Sequence, residues 1–345
     1  MAATIVGLLV VIIAGICNAS FAGPMKKMPK WAWENQWGMW AVWALLVTSW
    51  SFALLTVPNL FGVLGETAPQ VRWMTFLLGA GGGVGMVTFG FGIYLVGFSL
   101  GFSIILGLTA ATGSLIPMLI HHPQALTSPS GLVTLLGLAV TVAGVGLCGK
   151  AGMIRESAEG TAVEASRNRG KFITGLMVCI ASAIFNAMIN LSFTAGAPIA
   201  EAALPHVQGG AAHFRATNAV WALSMTGAFI PNALYCGYLL VTRKTWRNFG
   251  LRGTGHYWLL TLVMGVVWMS GYALYGASTV LLGTMGTTVG WIIFFAMTVL
   301  TGNVMGFMTG EWKTAPERAV RLMHVSILVL MAAIVIVGLG GALSG

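Results

Sequence analysis

The sequence predicts an all-α integral membrane protein, with ten transmembrane helices in two inverted five-helix repeats. Three observations predict it. The 345 residues are 57% hydrophobic and only 7% charged, where soluble domains carry about 25% charged residues, and the mean hydropathy is +0.88. The apolar residues gather into ten runs close to the ~20 residues that a spanning helix needs. Finally, fifteen of the 17 Lys and Arg residues fall in the loops of one side, leaving only Arg72 and Arg215 on the other. Basic loops stay in the cytoplasm, so both termini are expected outside.

Taken in order, the first run covers residues 3–23. Ala19-Ser20-Phe21-Ala22-Gly23 resembles a signal-peptide cleavage site, but no basic residue precedes the run and lysines follow it. A retained helix is therefore expected. The run ends at Pro24, where Lys26, Lys27 and Lys30 meet Trp31, Trp33 and Trp37, the mark of a membrane–water interface. Glu34 lies in this boundary, and the second run covers 37–57. The third, 72–95, contains Gly79-Ala-Gly-Gly-Gly-Val-Gly85. Inside a span, such glycines read as a surface for close helix packing and not as a phosphate loop. Only the turn around Gly97 separates it from the fourth run, 98–120. The adjacent His121 and His122 cannot be two ligands on one helix face, so they are expected to be a solvated loop pair. The fifth run is 131–149.

A loop rich in Glu, Arg, Ser and Gly follows near the midpoint. It divides the chain into a first repeat (1–149), a cytoplasmic linker (150–170) and a second repeat (171–345). The second repeat holds runs at 171–191, 216–241, 257–277, 287–309 and 322–343. An odd number of spans per half sets the halves in opposite orientation, a plan common among secondary transporters. Weak internal similarity agrees: Cys17-Asn18-Ala19-Ser20 with Cys179-Ile180-Ala181-Ser182, and Thr112-Gly113 with Thr301-Gly302.

Several function classes are disfavoured. The net charge of +9 sits in short loops, so topology accounts for it and nucleic acid is not an expected partner. The lipid bilayer is. The four cysteines lack CxxC spacing and read as packing residues. The chain has no Asp, no HExxH and no Walker loop, so no metal, cofactor or enzymatic activity is expected. A passive scaffold would have little use for polar residues buried in its spans.

Those polar residues are the lead. Asn18 lies in the first span, Asn186 and Asn190 in the sixth, Asn232 in the seventh after Pro231, and Asn303 in the ninth. Each could be helix glue or a ligand contact. The first and sixth spans would be symmetry mates at the central axis, which favours a cavity for Asn18, Asn186 and Asn190. In the eighth span Trp268, Tyr272 and Tyr275 share a face by spacing. Rings bearing hydroxyls suit a sugar, and an aromatic packing stripe is the alternative. Among the eight carboxylates, Glu156, Glu159, Glu164 and Glu317 are expected to be solvated, and Glu66 and Glu201 lie on the outer side. Glu34 and Glu311 lie deepest and are the candidates for proton coupling, because desolvation raises a carboxyl pKa. The alternative is interfacial ion pairs with Lys30 and Lys313.

Several segments are similar to the L-rhamnose–proton symporter family, a branch of the drug/metabolite transporter superfamily. They are the exit PMKKMPKWAWENQW, Ile184-Phe185, Pro198 with Glu201-Ala202-Ala203, Asn232, Trp268, Tyr275, and Gly310-Glu311-Trp312. Tyr272 to Ser278 resembles the superfamily's eighth-helix signature. The resemblance implies uptake of a 6-deoxyhexose with a proton across the bacterial inner membrane, through a cavity between the halves. It also implies a lysine at Ala197, an acid at Thr287 or Thr288 and a glutamine near Gly271, where this chain departs. The alternative is a facilitator or transporter of another sugar or small metabolite without proton coupling.

Overall fold

A computed structural model describes residues 2–160, 169–209 and 211–343. Among the described residues the regular structure is all helical. The long helices are α1 (Ala2–Ser20), α2 (Trp33–Thr56), α3 (Pro69–Val96), α4 (Phe98–His121), α5 (Pro129–Ala158) and α6 (Arg169–Ala195). They continue with α7 (Ala212–Thr242), α8 (Gly255–Leu281), α9 (Gly286–Met308) and α10 (Glu317–Ala342). Short helices Leu60–Glu66 and Ala197–Ala203 lie in connections.

Among the described residues, nine helices are long and apolar enough to cross a membrane. The tenth predicted span, α7, has the length at 31 residues. Thr217, Asn218, Ser224, Thr226 and Asn232 make it more polar than the others. It is also the helix with many buried neighbours, which is where polar side chains in a bundle find partners.

Two boundaries differ from the sequence expectation. α2 starts at Trp33 because the Asn35 side chain accepts the Ala32 N–H at 3.2 Å and caps the first turn. α5 continues to Ala158, so residues 150–158 of the predicted linker are helical. That extension corrects the reading of Glu156 as simply solvated. Its Oε1 accepts from Ser99 N at 2.9 Å and Ser99 Oγ at 2.6 Å. A carboxylate there complements the open N–H groups at the start of α4. Glu159 is exposed and accepts from Thr314, Glu317 pairs with Arg321 one turn along, and Glu164 lies outside the described residues.

Apolar side chains such as Leu55, Leu77, Leu234 and Met308 face outward, as expected where lipid is the solvent. Cohesion then comes from close packing and internal hydrogen bonds. The glycine run of α3 supplies the first. A Cβ at Gly79 or Gly83 would strike the Ser224 and Ala228 carbonyls of α7, and one at Gly82 or Gly85 would strike Ile189 and the Asn186 backbone of α6. α3 is thus wedged between α6 and α7.

The principal helix pairs are α3 with α6, α1 with α8, α3 with α7, α2 with α8, α4 with α6, and α1 with α9. α5 also pairs with α10, α4 with α9, and α2 with α7. Shifting every helix number by five maps this set onto itself; the α7–α8 contact is the main departure.

Gly83→Leu is expected to destabilise by about 1–3 kcal/mol through overpacking, read as a lower melting temperature in detergent. Gly90→Leu on the same helix, where a Cβ meets nothing within 4 Å, should leave the melt unchanged.

Candidate functional site

The predicted site residues divide between two levels of the bundle. Glu34 and Glu311 lie at the end that carries the basic loops, and both are ion-paired, with partners other than those expected. Glu34 is 1% exposed. It accepts from Thr245 Oγ1 at 2.8 Å and pairs with Arg243 Nη1 at 3.4 Å, joining α2 to the end of α7. Glu311 pairs with Lys26 at 2.7 Å and Arg155 at 3.9 Å, joining the end of α9 to the α1 exit and α5. Lys30 instead donates to the Arg252 carbonyl. Sequence neighbours lose to residues hundreds of positions away because the fold brings helix ends together.

Two neighbours of Glu34 were not anticipated. Asn35 donates to Thr245 O at 2.9 Å and accepts from Asn248, while Gln36 donates to the Met28 and Trp31 carbonyls, both at 2.9 Å. Three consecutive polar residues opening an apolar span were the available signal.

Glu311 sits outside the spanning segments. The Lys26 ammonium hydrogen-bonded to it holds its carboxyl below the ordinary value of 4.5, against partial burial and with help from Arg155. It is therefore ionised at neutral pH in this conformation.

Deeper in the bundle the amides behave differently from one another. Asn190 is fully buried. Its Nδ2 donates to Gly113 O of α4 at 2.8 Å and Thr287 O of α9 at 3.3 Å, and its Oδ1 accepts from Tyr275 of α8. One side chain on α6 thus ties four helices. Asn186, one turn earlier, turns back to Ser182 of its own helix. Asn18 donates to Thr298 Oγ1 of α9 at 3.1 Å. Asn232 accepts from Trp37 Nε1 at 2.9 Å and donates to Ala228 O, and Asn303 donates to Val299 O. The structure does not bring Asn18, Asn186 and Asn232 into one cluster with Asn190.

Trp268, Tyr272 and Tyr275 do share a face, and all are buried. They belong to a continuous aromatic column. Trp37 meets Trp40 at 4.4 Å between ring centroids, Trp40 meets Trp268 at 5.2 Å, and Trp268 meets Tyr272 at 4.3 Å. Tyr272 then meets Trp221 at 5.3 Å, and Trp221 stacks on Phe193 at 4.5 Å.

Beyond Phe193 lies a cavity of about 270 Å³, at the end opposite the basic loops. That is near the lower end of small-molecule sites, about 300 Å³. It lies where α6, α7, α8 and α9 end or begin. Thr194, Thr217, Thr279 and Thr287 line it, with Glu201 and His213 exposed at its rim. None of the residues predicted as substrate contacts lines the cavity. Asn190 and Tyr275 reach it indirectly: both donate to the carbonyl of Thr287, which does. Threonines and alanines carry no distinctive sequence signature, so this site was not visible in the chain. Two positions of departure from the resembled pattern, Ala197 and Thr287, lie in its wall. Among the described residues no group of His, Cys or Glu side chains is arranged to hold a metal.

Residues 1–343 match the family described as L-rhamnose-proton symport protein (RhaT). The chain belongs to this family. It is 26% identical over 338 residues to the L-rhamnose-proton symporter of Escherichia coli (strain K12 / DH10B), covering 96% of each chain. It is also 26% identical over 347 residues to the protein of the same name from Yersinia pestis (strain Pestoides F), covering 99% of each. These relatives are named as transporters and not as enzymes, and the apolar helices of this family member form a multi-pass membrane protein.

Asn190→Ala should cost about 1–3 kcal/mol, because it takes the donor from the buried Gly113 carbonyl, to which Pro117 one turn on can offer no N–H; a detergent melt reads this. For Glu311 a depressed folded-state pKa means its contribution is full above about pH 4.5 and is lost as pH falls through the folded value. The pair is partly exposed, so the contribution should stay within about 1 kcal/mol. Wild type and Glu311→Gln should therefore differ slightly in melting temperature above pH 5 and converge as pH falls below 4.5 and through the depressed folded-state value.

Proposed function

We propose that the protein carries L-rhamnose, or a closely similar 6-deoxyhexose, inward across the bacterial inner membrane together with protons, by alternating access. The observation that carries the reading is the asymmetry of the bundle: a cavity at one end, and two ionic clasps at the other. This is the arrangement of a carrier open to the outside and closed to the cytoplasm. The family's name and the relatives' names supply the substrate and the coupling ion.

On this reading all ten long helices span the membrane, with both termini in the periplasm and the basic loops in the cytoplasm. Residues 1–149 and 171–345 are the inverted halves, joined by the cytoplasmic linker 150–170. The helix pairing that survives a shift of five supports that division. The same plan suits the drug/metabolite transporter superfamily.

The sugar enters at the cavity and meets Asn190 and Tyr275 beneath Thr287. Asn18, Asn186, Asn232, Trp268 and Tyr272 lie further along the route that opens when the halves rock. Protonation of Glu34 removes the charge that holds Arg243, and protonation of Glu311 releases Lys26 and Arg155. Glu311 takes its proton only where those cations have withdrawn, because beside them it stays ionised. Sugar and proton must favour the same state, so each raises the other's affinity.

Uptake of labelled L-rhamnose into proteoliposomes tests this. Accumulation should require an inward proton gradient. The double variant Glu34→Gln, Glu311→Gln should equilibrate the sugar without accumulating it. Equilibration by the wild type regardless of the gradient would establish a facilitator instead.

A further inference from the structure

The connection between α7 and α8, residues 243–254, carries Arg243, Lys244, Arg247 and Arg252 and no acidic residue. It is a folded platform. Its 3₁₀ turn, Thr245–Gly250, docks on the α1 exit and the start of α2. Trp31 Nε1 donates to Asn248 O at 3.1 Å, and Asn35 donates to Thr245 O at 2.9 Å. Phe249 meets the Trp31 ring edge-on, with centroids 5.1 Å apart. Lys30 donates to the Arg252 carbonyl at 3.2 Å, which brings a further cation to the platform. Glu34 also touches it, but that carboxylate is buried and taken by Arg243 and Thr245. Among the described residues Lys30, Lys244, Arg247 and Arg252 pair with no carboxylate, and all four are exposed.

Topology explains why basic residues gather at this end, but not why the acidic ones stay away from this part of it. Glu156, Glu159, Glu311 and Glu317 all lie on α5, after α9 or at the start of α10. There Lys26, Arg155 and Arg321 pair with three of them. The positive charge is left uncompensated beside exposed apolar side chains: Trp246, Leu251 and Trp258. The Arg247 guanidinium lies 5.5 Å from the centroid of the Trp246 ring. Exposed tryptophan at a span end marks headgroup depth, and clustered cations at that depth attract anionic lipid.

We propose that the platform carrying Lys30, Lys244, Trp246, Arg247 and Arg252 is a binding site for an anionic phospholipid. The phosphate oxygens accept from the guanidinium and ammonium groups, and the acyl chains lie against the exposed apolar side chains. That apolar rim is what favours a lipid over a free anion. The inference needs only the membrane setting and stands apart from the sugar-transport reading.

The test is native mass spectrometry of the full-length protein in detergent, titrated with dioleoylphosphatidylglycerol or with dioleoylphosphatidylcholine. The anionic lipid should bind more tightly. Removing Lys244, Arg247 and Arg252 together as glutamines should weaken its binding by roughly fivefold per cation, about a hundredfold in all, and leave the neutral lipid unaffected. Lys313→Gln, Arg318→Gln and Arg321→Gln together remove the same charge beside Glu311 and Glu317, and should cost little. If the first triple variant melts below wild type, Arg247→Gln alone should still show its fivefold loss. An excess of inorganic phosphate should not displace the lipid. Equal losses in the two triple variants, or equal binding of the two lipids by wild type, would overturn the site. Displacement by inorganic phosphate would overturn the lipid and make the platform a free-anion site.

Discussion

The Asn190 side chain is the interaction on which the centre of this protein depends. In a bilayer no water waits to satisfy a stranded amide, so every polar group within the spans must find its partner inside the protein. Asn190 meets that constraint by bonding to α4, α8 and α9 from its place on α6. The four helices come from both halves of the chain. The same node underlies the cavity, since the Thr287 carbonyl it holds belongs to a lining residue. A buried polar contact thus fixes the packing of α6, α8 and α9 and shapes the floor of the cavity.

Around that node two packing devices divide the labour. Glycines let α3 press against α6 and α7 backbone to backbone, which gives rigidity without needing a hydrophobic drive that lipid cannot supply. Charged and polar side chains close the opposite end, through Glu34 with Arg243 and Thr245 and through Glu311 with Lys26 and Arg155. The partly exposed Glu311 pairs are weak individually, whereas Glu34 is buried in its pair. Under the proposed alternating access, this is the end that would have to open. The π-helical stretch Val42–Thr48 of α2 lies directly below the Glu34 clasp, a helix geometry that recurs at functional sites.

Much of the fold was legible in the chain because apolar length and loop charge are local properties. Among the described residues, nine of the ten predicted spans are helices long and apolar enough to cross a membrane, and α7 is less apolar because it carries polar residues such as Asn218, Ser224 and Asn232 that are buried in the interior. The candidate site was legible in part. The spacing of Trp268, Tyr272 and Tyr275 correctly placed them on one face, and Asn190, expected to contact substrate, forms instead a buried hydrogen-bonded node. Their partners were not readable, since Glu34 meets Arg243 across 209 residues and Asn190 meets Tyr275 across 85. The cavity was invisible for a different reason. Threonines and alanines predominate in its walls, and only tertiary packing gives such residues a common purpose.

The direction of transport turns on which end of the bundle is open. Ala200 lines the cavity, and three of the four native cysteines are buried, so Ala200→Cys offers a reporter for a membrane-impermeant maleimide. An outward-open cavity should be labelled in right-side-out vesicles and little in inside-out ones, with L-rhamnose at low external pH slowing the external reaction. Labelling from the cytoplasmic face alone, or equally from both faces whatever the sugar, would contradict it.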